Sequence, residues 1–95
     1  MNLNDLHSTE KSVSAVSLFK GGEGVANSLH MLKDALLKEH VTKVPALLVC
    51  VTGAVTFENE RGAKIDLLPG DYINIEPLVI HWVKAISESD LLLVK

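Results

Sequence analysis

Cysteine occurs once, at Cys50. No disulfide can form within the chain, and a lone thiol points to a reducing compartment, so the cytoplasm is the expected location. Positive charge is also scarce. Lys and Arg number 9 against 12 Asp and Glu, for a formal net charge of −3. A nucleic-acid binder needs a clustered basic face to neutralise phosphates, so that class of partner is excluded. Long apolar runs are missing as well. The longest, Val44 to Val51, is interrupted by Pro45 and falls far short of the ~20 residues that span a bilayer. The first residues, Met1 to His7, have neither a basic region nor an apolar one, so no secretory signal and no membrane partner are expected. The glycine-rich stretch Gly21-Gly22-Glu23-Gly24 is not followed by Lys-Ser/Thr, which excludes a phosphate-binding loop. There is no internal repeat or low-complexity tract, and no specific Ser-His-Asp or Cys-His ordering.

What remains is a chain of 95 residues, 47% hydrophobic and 22% charged. That is one domain with enough apolar content for a core. Residues 1–11 are polar and aperiodic and read as a flexible arm, with His7 in solvent. Val13 to Phe19 is rich in β-branched residues and reads as a strand. Residues 28–40 are ambiguous. Leu29, Leu32, Ala35 and Leu36 fit one face of a helix capped by Ser28, but two strands around Lys33-Asp34-Ala35 fit too. From Pro45 onward the pattern is β. Ala46 to Val51 is continuously apolar, as a strand buried on both faces would be. Strands follow at 54–58, 64–68, 72–75, 80–86 and 91–94. The connecting turns are Asn59-Glu60-Arg61-Gly62, Pro69-Gly70-Asp71, Glu76-Pro77 and Ser87-Glu88-Ser89-Asp90. Short strands with turns every 7–12 residues indicate an antiparallel all-β sandwich or barrel.

The run Leu67-Leu68-Pro69-Gly70-Asp71-Tyr72-Ile73-Asn74-Ile75-Glu76-Pro77, with His81 after it, resembles the second conserved motif of the cupins. His40-Val41-Thr42 through Ala46 to Gly53 is similar to a degraded first motif. The resemblance implies an antiparallel double-stranded β-helix, or jelly-roll barrel, over residues 12–95. It also implies strand-turn-strand at 28–40. By position, His40 and His81 stand where the family places its first and last metal ligands. Thr42 and Ala46 stand where it has a second histidine and a glutamate. Asp34 takes the place of an opening glycine.

Two imidazoles without the carboxylate are a thin set for a divalent zinc, nickel, iron or manganese ion. Thr42 is a weak donor, and Ala46 is none. Cys50 shares strand parity with Ala46, and His30 could face inward, so either could be a third ligand. The resemblance therefore implies a barrel pocket for a small-molecule ligand, lined by His40, Thr42, Cys50 and His81, with a weakly held metal on His40 and His81. The alternative is a metal-dependent enzyme, a dioxygenase or isomerase, using His40, His81 and a noncanonical third ligand. A homodimer is expected. Trp82, opposite in parity to His81, would serve outer-sheet packing or that interface.

Overall fold

A computed structural model describes all residues, Met1–Lys95. After a 3-10 turn at Leu3–Leu6 come nine strands: β1 (Val13–Lys20), β2 (Val25–Met31), β3 (Leu36–His40), β4 (Ala46–Thr52), β5 (Val55–Asn59), β6 (Lys64–Leu67), β7 (Tyr72–Ile75), β8 (His81–Ala85) and β9 (Ser89–Val94). They form two antiparallel sheets. One has the order β1-β2-β9-β4-β7 and the other β3-β8-β5-β6. No helix is long and apolar enough to cross a membrane.

The ambiguous stretch 28–40 is strand-turn-strand. Leu29 and Met31 alternate into the core, which a strand allows and a helix would not. Asp34 makes the turn with φ 67, the left-handed conformation that explains why a glycine suits this place. Its amide donates to the Ala85 carbonyl, and Ala85 in turn donates to Ala35, docking the turn on β8. At Gly53 (φ +80) a Cβ would lie 2.2 Å from the Glu88 carbonyl oxygen, so only glycine fits there.

The core between the sheets joins Leu29, Met31, Leu48, Cys50 and Leu91 from the first to Val55, Phe57, Leu67 and Val83 from the second. Each large side chain so buried contributes roughly 1.5–3 kcal/mol. One turn was placed too far along the chain: Ser89 and Asp90 belong to β9 and are buried. Their polar atoms are satisfied inside the sheet. Ser89 Oγ accepts from the Ala54 amide, and Asp90 bonds His30 and Thr52.

Register defines three cross-strand rows on the outer face of the five-stranded sheet. One is polar: Ser14, His30, Asp90 and Thr52. The next runs Val16, Ser28, Leu92, Val49, Tyr72. The third runs Phe19, Ala26, Val94, Leu47, Asn74.

Candidate functional site

His40 ends β3 and His81 begins β8, and the two are direct cross-strand partners. Although 41 positions apart, their Nε2 atoms lie 2.9 Å from each other, with the rings edge to face at 4.1 Å. His81 shares the inward parity of Val83 and Ala85 and is only 1% exposed. Phe57, from β5, stacks on it at 5.7 Å.

The anchoring of the other ring nitrogens fixes the chemistry. His81 Nδ1 lies 3.1 Å from the Val79 carbonyl oxygen, and His40 Nδ1 lies 2.9 Å from the Lys38 carbonyl oxygen. Carbonyls only accept, so both Nδ1 atoms carry the hydrogen. Both Nε2 atoms of the neutral rings are then bare acceptors facing each other. Two lone pairs at that separation repel unless a proton or a cation lies between them. Burial pushes the His81 pKa below its ordinary value, the Val79 carbonyl raises it in part, and His40 lowers it further. A proton is therefore disfavoured on His81 near neutral pH.

Beside His81 is a cavity of about 210 Å3, lined by Phe57, Asn59, Ile75, Val79 and His81 among others. Its rim is braced by the hairpin tip between β5 and β6. The Ile80 amide donates to Glu60 Oε2 at 2.5 Å, and Arg61 Nη1 pairs with Glu76 Oε2 at 3.0 Å. On its other side His40 borders a wider, open groove of about 660 Å3 between Lys11–Val13 and β3.

The remaining candidate residues do not join the pair. Thr42 is buried, but its hydroxyl donates to the Val44 carbonyl and its own carbonyl holds the Leu78 amide. It supports the loop before His81. Cys50 does face the interior, as parity with Ala46 indicates. It lies four residues, or roughly 13 Å, down β4 from Ala46, whose cross-strand partner is the cavity residue Ile75. Its thiol points at the carbonyls of Thr52 and Gly53. Burial and the Asp71 carboxylate raise its pKa, so it stays a protonated thiol and a poor ligand.

His30 faces away from the core, because Leu29 and Met31 on either side of it point in. Its Nδ1 donates to Asp90 Oδ1 at 2.8 Å. Its Nε2 lies 3.1 Å from Glu88 Oε2 without the alignment of a hydrogen bond. His7, expected in solvent, is half-buried and stacks on His30 at 5.5 Å. Its ring nitrogens bond Ser14 Oγ and Ser28 Oγ, both at 2.8 Å. Burial lowers its pKa, His30 lowers it further, and Asp90 offsets part of that. No group of three His, Cys, Asp or Glu side chains is arranged to hold a metal ion. The residues thus fit two ligands of a metal and supply no third.

Two antiparallel sheets closing on an inward histidine pair define a small double-stranded β-helix barrel. Comparison with solved structures gives that architecture a name: the chain has the cupin fold. A cupin superfamily protein from Desulfitobacterium hafniense superposes with a TM-score of 0.87 at 16% identity, over 98% of this chain and 84% of that one. KdgF from a Halomonas species gives 0.81 at 22% identity, over 96% and 88%. A cupin-2 domain protein from Shewanella frigidimarina gives 0.81 at 15%, over 100% and 92%. No protein-family profile matches the sequence, and no curated protein does.

Proposed function

We propose that this protein is a binding barrel for a small ligand, in which His40 and His81 weakly hold a divalent transition metal such as zinc, nickel, iron or manganese. The observation that carries this reading is the pair of Nε2 acceptors, 2.9 Å apart with both Nδ1 hydrogens given to backbone carbonyls. Anchoring one imidazole nitrogen so that the other is presented as a donor is what metal-binding histidines require. A bound metal would supply a Lewis-acidic position to an oxygen or nitrogen atom of the ligand. The chain itself does the rest. Val79 and Lys38 orient the rings, Phe57 packs one of them, and the braced rim limits the space. About 210 Å3 is below the ~300 Å3 at which pockets for drug-sized molecules begin, so the ligand has few heavy atoms.

The enzyme reading requires a third protein ligand, and Cys50, His30 and Thr42 are all committed elsewhere. Binding is therefore the better supported reading. A cytoplasmic location accords with a single buried, protonated thiol. Two imidazoles represent half of a structural zinc site, whose binding is worth about 10–16 kcal/mol. Half of that is roughly 5–8 kcal/mol, or a Kd of roughly 1–200 μM. Calorimetric titration of the chelator-treated protein with zinc and nickel should show one site in that range, weakened about 100-fold or more in His40→Ala. Absence of heat at millimolar metal, or binding unaffected by that substitution, refutes the proposal.

A further inference from the structure

The barrel has an open seam. β1 is an end strand of the five-stranded sheet and β3 an end strand of the four-stranded one. Each pairs on one side only, β1 with β2 and β3 with β8, and no strand bridges them. The gap between these two edges is the groove of about 660 Å3 that borders His40. Its floor is apolar, because Val13 from β1 and Leu37 from β3 pack against the core beneath. Leu36 adds an aliphatic wall that is 47% exposed. Its banks are cationic, with Lys11 and Ser12 on one side and Lys38 on the other. Arg61 and Lys84 lie 3.0 and 3.6 Å from carboxylates, whereas Lys11 and Lys38 have no acidic partner.

We infer that this groove binds an organic monocarboxylate with an aliphatic body, at a site separate from the His40–His81 pair. Charge selects the class. Two ammonium groups face one acid, Glu39, in the lining, so one positive charge is in excess there although the chain as a whole carries −3. One carboxylate balances that excess, and a doubly charged phosphate monoester overshoots it. His40 has given its Nδ1 hydrogen to the Lys38 carbonyl, so the lysines and the Ser12 hydroxyl are the side-chain donors open to a ligand. The floor selects the body. Val13, Leu36 and Leu37 are branched aliphatics, and no Phe, Tyr or Trp lines the groove to stack on an aromatic ring. Size agrees as well. The volume falls within the ~300–1,000 Å3 of small-molecule sites, which are mostly apolar with a few placed polar groups. Along β3 the groove runs from Leu36 to His40, roughly 13 Å, which suits an extended chain better than a compact ion. A peptide strand is the poorer fit, because the bulge between Leu37 and His40 breaks the regular edge it would pair with. The inference is independent of the metal-binding reading, since it is tested on metal-free protein.

Heteronuclear NMR of the full, chelator-treated chain during titration with sodium octanoate tests it. The amides of Ser12, Val13, Leu37 and Lys38 should shift together and saturate, with a Kd of roughly 0.2–6 mM for a ligand of this size. Octanol has the same chain without the charge and should bind at least about fivefold more weakly, and octylamine should not saturate. Lys11→Glu and Lys38→Glu change exposed side chains. Each should raise the octanoate Kd at least about fivefold while circular dichroism stays native. Lys20→Glu, at the other end of β1, should leave it within about twofold. Absence of saturation at about 20 mM octanoate, well above that range, overturns the inference. So does octylamine binding as tightly as octanoate, or a Kd indifferent to both Lys11→Glu and Lys38→Glu. Shifts confined to the cavity beside His81, or to the outer sheet face around Leu47 and Leu92, overturn it too.

Discussion

The molecule holds two histidine pairs, and they have opposite character. In the barrel, His40 and His81 each give one nitrogen to a backbone carbonyl and turn the other toward its neighbour. On the outer sheet face, His7 and His30 spend their nitrogens on side chains: Ser14 and Ser28 for one, Asp90 and the misaligned Glu88 for the other. The first pair presents lone pairs, and the second holds a chain segment against a sheet. The number of imidazoles in a cluster therefore says little about metal binding. The partner of the first nitrogen decides whether the second is available.

The contrast is broken most forcefully at Asp90. It is 5% exposed and pairs with a His30 that is 2% exposed. Removing one member of a buried pair leaves the other uncompensated, so Asp90→Ala should lower unfolding stability by roughly 3–5 kcal/mol. In the barrel, His40→Ala should change stability by only about 1 kcal/mol, because it also relieves two opposed lone pairs. Urea midpoints for the two variants check this, and similar losses would erase the distinction between the pairs. Metal affinity should show the reverse order. His40→Ala or His81→Ala should weaken zinc binding by about 100-fold or more, half of the two-ligand binding energy, whereas His7→Gln should leave it unchanged.

Acid should act on one histidine of each pair. His7 and His81 both have pKa values below the ordinary 6.5. Between the unfolded and folded values the unfolded chain binds more protons, so stability rises with pH there. The contribution is complete above about pH 6.5 and is lost as pH falls through the depressed folded values. Urea titrations at pH 7.5 and 5 should show the loss, and His7→Gln should remove part of it. A stability independent of pH in that window would mean neither ring is perturbed. The smallest effect is expected at Cys50. Cys50→Ala should alter zinc affinity by no more than about twofold, as for a site remote from the pair. The thiol should react with Ellman's reagent only as fast as the chain unfolds.

Much of the fold is legible in the sequence, because the turns carry their own chemistry. Pro69-Gly70-Asp71 closes as a turn in which Asp71 Oδ2 accepts from the Leu68 amide, and the strands flanking it follow. The His40–His81 meeting is legible only through the motif resemblance, since nothing local links residues 41 positions apart. Residues 28–40 resist reading because Leu29, Leu32, Ala35 and Leu36 satisfy a helical period while Leu29 and Met31 satisfy a strand. Long-range pairing with β1 and β9 decides between them. The side on which His30 emerges depends on that same register, since a shift of one residue exchanges the faces. The contacts of His7 with Ser14 and Ser28, and the burial of Ser89 and Asp90, arise from polar groups satisfying one another across strands. Composition marks such residues as loop formers and so misplaces them.

The most direct measurement is nitrogen-15 NMR of the histidine rings during titration with zinc. Nε2 of His40 and His81 should move together and saturate at one equivalent, while their Nδ1 signals stay protonated and the His7 and His30 rings keep their shifts. Movement confined to His7 and His30, or no movement at His40 and His81 at millimolar zinc, would contradict the assignment of the binding site to the barrel pair.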